Sequence, residues 1–186
     1  MNFLFISWQQ LHQDCFKLSQ RILKKNLHFD RIVCISRGGL VVARIFSDFL
    51  DLPISNFTIV SYTSVNKTGI PKITDELAIN IKNERILLID EVVDHGTTLK
   101  KAITYLKKHS PKQIATLVPY IKSWSQLEPD FWRVKTNKWI LFPYEVKETV
   151  DDLTKIFKKQ GKTKSEINKI VLNLGFDKSQ ISAFNV

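Results

Sequence analysis

The stretch Ile86-Leu87-Leu88-Ile89-Asp90-Glu91-Val92-Val93-Asp94-His95-Gly96-Thr97-Thr98-Leu99 constrains this chain more than any other. Its four consecutive aliphatic residues have no polar face, the pattern of a strand covered on both sides within a parallel sheet. Two carboxylates end that strand, and a turn with a third acid, a glycine and two threonines leads into a helical pattern from Leu99 to Lys108. A buried strand feeding directly into a helix predicts an α/β fold, a mostly parallel central sheet flanked by helices. In such sheets ligands bind beyond the carboxyl ends of the strands, and a helix start rich in glycine and threonine offers backbone N–H groups to an anion. The expected ligand therefore carries hydroxyl groups, for the acids to accept from, and a phosphate.

At 186 residues the chain has room for one domain and a small appendage. No apolar run approaches the length that crosses a bilayer, and Met1 to Ile6 lacks the basic start of a signal peptide. A cytoplasmic protein with no membrane association is expected. Cys34 falls in a predicted buried strand and Cys15 on a predicted helix, which suits reduced thiols rather than a disulfide. The net charge is +10, and residues 145–186 hold eight lysines against six acids, so most of the excess lies on the first 144 residues. A basic field there would attract a polyanionic substrate; a basic solvated surface explains the charge equally well.

Ser7-Trp8-Gln9-Gln10 has the form of a capping box, and Trp8, Leu11, Cys15, Leu18 and Ile22 follow at steps of three and four, giving a helix to about Asn26. Phe29 to Ile35 reads as a core strand, interrupted by Ser36-Arg37-Gly38-Gly39-Leu40 before a second helix through Phe49. Two glycines at that junction permit a tight turn and leave amides for an anion. Ile54 to Tyr62 is a further strand candidate, and the pattern then loosens from Thr63 to Asn83, as in a functional lid or a disordered segment. Gln113 to Ile121 reads as one strand carrying Lys122 at its carboxyl end, and Trp139 to Glu145 supplies a late aromatic strand.

The central stretch resembles the signature of the type I phosphoribosyltransferases: four aliphatics, two acids, two small apolar residues, then Asp-Thr-Gly-x-Thr. One residue departs, His95 standing where the family usually has Thr. The resemblance implies that Asp90 and Glu91 contact the ribose hydroxyls of phosphoribosyl pyrophosphate. Asp94, His95, Gly96, Thr97 and Thr98 would wrap its 5′-phosphate. Ser36-Arg37-Gly38-Gly39 is similar to the family's pyrophosphate loop, which can hold a non-proline cis peptide, and this would set Arg37 and the Gly38 amide on the pyrophosphate. The loose segment matches the family's mobile hood, where members acting on 6-oxopurines carry a Ser-Tyr pair, here Ser61-Tyr62. In the same branch a lysine at a strand end donates to the exocyclic O6, an aromatic stacks on the purine, and the next residue offers its backbone to the base edge. Lys122, Trp139 and Ile140 take those places. Lysine can donate to a carbonyl but cannot accept from an amino group, so Lys122 favours hypoxanthine, guanine or xanthine over adenine.

The type I phosphoribosyltransferase fold is thus expected over residues 1–145, with a small helical extension over 146–186. The expected reaction is purine salvage, a 6-oxopurine and phosphoribosyl pyrophosphate giving the nucleoside 5′-monophosphate and pyrophosphate. By the resemblance Asp94 is the general base at purine N7 and Arg37 stabilises the departing pyrophosphate. Mg²⁺ is the implied cofactor, near Asp90, Glu91 and Glu145 through substrate or water, and a homo-oligomer, dimer or tetramer, is the implied assembly. A regulator that senses phosphoribosyl pyrophosphate and binds nucleic acid is the competing class; the modest charge of the last forty residues and the intact acids argue against a nucleic-acid partner. In the extension, Val146, Val150, Leu153 and Phe157 form one helix face. A capping box at Thr163-x-x-Glu166 starts a second helix that Gly175 stops.

Overall fold

The aliphatic run at Ile86 forms an interior strand of a five-stranded sheet. The computed structural model describes residues 2–60, 63–64, 67–68 and 70–184. In chain order the elements begin β1 (Phe3–Phe5), α1 (Trp8–Lys24), β2 (Arg31–Ser36), α2 (Gly39–Leu50) and β3 (Ile54–Val60). The short β4 (Thr63–Ser64) and β5 (Lys67–Thr68) follow, then β6 (Lys72–Asp75), β7 (Arg85–Ile89), β8 (Val92–Val93) and α3 (Thr97–Lys107). The chain continues through β9 (Gln113–Leu117), β10 (Tyr120–Lys122), β11 (Val134–Thr136) and β12 (Trp139–Leu141), and closes with α4 (Val146–Lys159), α5 (Lys164–Asn173) and α6 (Lys178–Ala183). It divides into two units, His12–Asn137 and a smaller one made of Met1–Leu11 with Lys138–Val186.

In the larger unit the main sheet has the order β6-β3-β2-β7-β9. The β3–β2, β2–β7 and β7–β9 pairings are parallel, and β6 alone runs antiparallel, against β3. Ile86, Leu87, Leu88 and Ile89 are fully buried, as a strand without a polar face requires. Alternate residues of the strands, among them Val33, Ile35, Phe57, Ile86 and Leu88, pack with Leu99, Ala102 and Leu106 of α3 and with Leu77 and Ile81. Both cysteines are free and buried, and burial pushes each thiol up to about 12, so neither is a nucleophile at neutral pH.

Two local expectations are corrected here. The segment after Thr63 is not irregular throughout: Lys72–Asp75 forms β6, an edge strand whose single apolar residue, Ile73, gives no alternation for a periodicity reading. Ser61 and Tyr62 lie outside the described residues. The stretch Gln113 to Ile121 is not one strand but two, β9 in the main sheet and β10 in a three-stranded sheet of order β11-β10-β8. Pro119 sits at the break; it has no N–H for a ladder, and its carbonyl accepts from the Arg133 and Val134 amides instead.

In the smaller unit β1 pairs parallel with β12. Phe3 and Phe5 join Leu141, Val150, Leu153, Phe157, Ile167, Val171, Phe176 and Ile181 in one apolar cluster with the three C-terminal helices. The expected capping box at Thr163 and Glu166 is formed, and Gly175, at φ 106°, turns the chain after α5. A third helix, α6, follows; its six residues carry too short a pattern to read, yet Asp177 and Gln180 form a capping box of their own. No helix among the described residues is long and apolar enough to cross a membrane.

Away from these cores, Arg85 clamps Asp30 through its backbone N–H, Nε and Nη2 at 2.7, 3.1 and 2.8 Å. Those donors hold the Asp30 carboxyl down at about 2. A carboxyl lowered on folding stabilises the fold above its unfolded value, about 4, and loses that contribution as pH falls through its folded value. Replacing Asp30→Asn is therefore expected to flatten the fall in stability between about pH 4 and pH 2, measured as the urea midpoint against pH; an unchanged acid limb would show that the clamp contributes nothing there.

Candidate active site

Two loops meet where the order of the main sheet reverses. From β2 the chain crosses through α2 to β3 on one side, whereas the next parallel neighbour, β7, lies on the other. Such a switch point leaves a crevice beyond the strand ends because the two flanking connections leave in opposite directions. Cys34 is in register with Ile89, so Ser36–Gly39 and Asp90–Glu91 emerge side by side. A Cβ on Gly39 would lie 2.8 Å from the Ile89 carbonyl oxygen and 3.3 Å from Asp90 Cα, and a Cβ on Gly38 would clash with the Glu91 carboxylate. Gly39 is thus required by close approach of the second loop's backbone, whereas a side chain at Gly38 would displace the Glu91 carboxylate. The Ser36–Arg37 peptide is cis, as the resemblance implied, and Ser36 Oγ accepts a 2.8 Å hydrogen bond from Asn56 Nδ2 of β3. Arg37 is exposed on this loop, and α2 starts at Gly39 after Gly38 as N-cap, without a side-chain cap.

The two adjacent acids differ in setting. Asp90 is buried, and burial raises its carboxyl above the usual range, although the Glu91 amide donates to its Oδ1 at 3.1 Å. A cation or a hydroxyl donor brought to Asp90 would favour the ionised form again. Glu91 is half-buried against Gly38.

After these acids the chain forms β8 and enters the turn Asp94–Gly96. Gly96 has φ 90°, a left-handed conformation costly to other residues, and a Cβ there would stand 2.7 Å from Leu127 Cβ. The turn runs into the start of α3 at Thr97 and Thr98, again with no side-chain cap. Asp94, His95 and Thr97 are exposed.

Lys122 reaches this turn through sheet register. Tyr120 pairs with Val92 and Ile121 with Val93, so one further step in parallel sets Lys122 beside Asp94. Burial lowers the lysine's pKa, and the Asp94 carboxylate pulls it back up. Trp124, which the sequence reading did not single out, donates its indole N–H to Asp94 Oδ1 at 2.6 Å. Its ring lies 5.5 Å from Lys122 Nζ. Asn56 and Leu127 also went unnoticed: an asparagine in a strand, a leucine in a polar loop and an exposed tryptophan carry no periodic signal.

The larger unit therefore brings Arg37 and Gly38 together with Asp90 and Glu91, and Asp94 and His95 together with Lys122. Trp139, Ile140 and Glu145 belong to the smaller unit. There Trp139 is half-exposed with its ring 6.4 Å from Phe3, Ile140 is buried on β12, and Glu145 is the N-cap residue of α4.

Residues 7–149 match the model of the phosphoribosyl transferase domain. The chain is 34% identical over 142 residues to the xanthine-guanine phosphoribosyltransferase of Desulfotalea psychrophila, covering 75% of this chain and 84% of that one. It is 28% identical over 144 residues to the enzyme of the same name from Idiomarina loihiensis, covering 76% and 86%. The crystal structure of purine phosphoribosyltransferase from Pyrococcus horikoshii is similar at a TM-score of 0.70 with 30% identity, over 77% of this chain and 95% of that one. The fold is also that of the xanthine-guanine-hypoxanthine phosphoribosyltransferase of Helicobacter pylori, at a TM-score of 0.69 with 22% identity, over 79% and 96%. The match over most of its length, on a mostly parallel sheet flanked by helices, makes this chain a member of the phosphoribosyltransferase family with the type I fold.

Proposed function

We propose that the chain is a purine salvage enzyme that joins a 6-oxopurine (xanthine, guanine or hypoxanthine) to phosphoribosyl pyrophosphate, giving the nucleoside 5′-monophosphate and pyrophosphate. The observation that carries this reading is the switch-point constellation: a glycine loop packed against the Asp90 backbone and the Glu91 carboxylate, with a lysine in register beside a third acid. The named activities of the relatives from Desulfotalea psychrophila and Pyrococcus horikoshii support it.

In this reading Asp90 and Glu91 accept hydrogen bonds from the ribose hydroxyls, and the turn from Asp94 to Thr98 holds the 5′-phosphate at the start of α3. Arg37 and the Gly38 amide bind the pyrophosphate and stabilise the charge it gains as the C1–O bond breaks. A purine nitrogen forms the new bond to C1, and Asp94 takes the proton from N7, so the base leaves the reaction neutral. Lys122 donates to O6. Little covalent work falls to the protein, and rate comes mainly from holding the two substrates in line and from fixed charges.

Mg²⁺ fits the donor set. Among the described residues no three His, Cys, Asp or Glu side chains gather into a cage. Asp90 and Glu91 are the kind of adjacent carboxylate pair that holds Mg²⁺ together with substrate phosphates and water. When bound, the ion neutralises pyrophosphate charge. The proposal includes a cytoplasmic location, which suits two buried thiols, and a homo-oligomeric assembly.

The test is pyrophosphate release from phosphoribosyl pyrophosphate with Mg²⁺ and each of hypoxanthine, guanine, xanthine, adenine, orotate and uracil. Turnover is expected with 6-oxopurines alone, and binding of phosphoribosyl pyrophosphate without turnover on any base would overturn the reading. Asp94→Asn is expected to lower kcat by roughly 10²- to 10⁴-fold, the usual worth of a general base. Lys122→Met is expected to lower kcat/KM for the preferred 6-oxopurine by roughly ten- to hundredfold and to narrow its lead over adenine; an unchanged ratio would remove Lys122 from base recognition. Gly96→Ala, which forces a left-handed alanine against Leu127, is expected to raise KM for phosphoribosyl pyrophosphate and to cost about 1–2 kcal/mol of stability in urea melts.

A further inference from the structure

The segment that follows Lys122 tracks the phosphate turn residue by residue. Trp124 Nε1 donates to Asp94 Oδ1 at 2.6 Å, the Gln126 amide donates to the His95 carbonyl at 3.4 Å, and Leu127 packs where a Cβ on Gly96 would be. The segment is itself held: the Ser123 amide donates to the Thr136 carbonyl of β11, the Ser125 amide to the Lys122 carbonyl, and Ser125 Oγ to the Leu127 carbonyl. Trp124 is 45% exposed. A large aromatic on a tied surface loop, with its N–H spent on a carboxylate and its face near a lysine, is placed for orientation rather than burial.

We propose that Trp124 is the positioning residue of this active site, fixing the Asp94 carboxylate through Oδ1 and steadying Lys122 with its ring. This rests on the assignment of Asp94 as the base. A carboxylate at the surface rotates about two bonds and meets a substrate proton in the right direction only part of the time. The indole N–H removes that freedom from one oxygen and leaves Oδ2, which has His95 Nδ1 at 3.4 Å, as the oxygen to take the proton. The same ring lies over Lys122, whose ammonium has lost part of its water shell to burial. One side chain thereby couples the group that takes the proton to the group proposed to read the base. His95, the residue that departs from the family pattern, stands at the edge of this arrangement with its ring 6.4 Å from the indole.

Three variants separate the parts. Trp124→Phe keeps a ring and deletes the donor, Trp124→Ala deletes both, and Trp124→Phe is also made in Asp94→Asn. Trp124→Phe is expected to lower kcat by roughly ten- to hundredfold, the worth of a charge-assisted hydrogen bond. KM for phosphoribosyl pyrophosphate and the melting temperature should stay as they are. Trp124→Ala is expected to show the same fall and, in addition, a raised KM for the purine. In the Asp94→Asn background the Phe substitution should cost nothing further, because the group it acts through is gone. Wild-type kcat in Trp124→Phe, a full additional loss in the double variant, or a fall in kcat that follows a lowered melting temperature would each overturn the proposal while leaving Asp94 as base. Full turnover in Asp94→Asn would instead overturn the base assignment, and the positioning role with it.

Discussion

Parallel pairing of β2 with β7 is the constraint on which the rest of the larger unit depends. It sets Cys34 opposite Ile89 and brings two loops out at the same level, from strands whose onward connections leave in opposite directions. Gly39 follows from that pairing, since the backbone of the second loop passes where its side chain would be. So does the unlike setting of Asp90 and Glu91: the first is buried, the second lies half-buried against the glycine loop. A slip of one residue between these strands would reverse the faces of both.

The second sheet supplies the other half of the site by the same device. β8 is only two residues long, yet its pairing with β10 decides that Lys122 stands beside Asp94 rather than elsewhere on the surface. Pro119 makes this possible by ending β9 and letting the chain start a new pairing one residue later. Tyr120, fully buried, donates to Asp14 Oδ2 of α1 at 3.0 Å and holds β10 down behind the lysine. Burial of both partners makes that hydrogen bond more consequential than a surface one, because an acid left without it would remain away from water.

The electrostatics divide along the same line. Arg37 is exposed, where a charged phosphate group can approach it without leaving water entirely. Asp90 and Lys122, in contrast, are held where burial works against their charged forms, in opposite directions for acid and base. Groups of that kind gain most from a ligand of complementary charge, and they cluster at functional sites for that reason.

Much of this was legible in the amino-acid order. The strand at Ile86, the glycine loop after Ser36, the helices from Trp8, Thr97, Val146 and Lys164 and the family signature at Asp90 to Thr98 are local patterns, set by side-chain periodicity, capping and backbone preference within a few residues. The structure describes them with boundaries shifted by a residue or two. What the order left open was decided by pairing between distant segments. β6 carries a single apolar residue, Ile73, and is a strand because β3 offers an edge; β10 separates from β9 at Pro119 and is taken up by β8 and β11. Trp124 looked like any exposed aromatic until register and the Ser125 turn carried its N–H to Asp94. Local sequence determined which elements form and what chemistry they carry, because those forces act along the chain; tertiary structure alone decided which of those groups meet, because register and close approach exist only between chains already laid side by side.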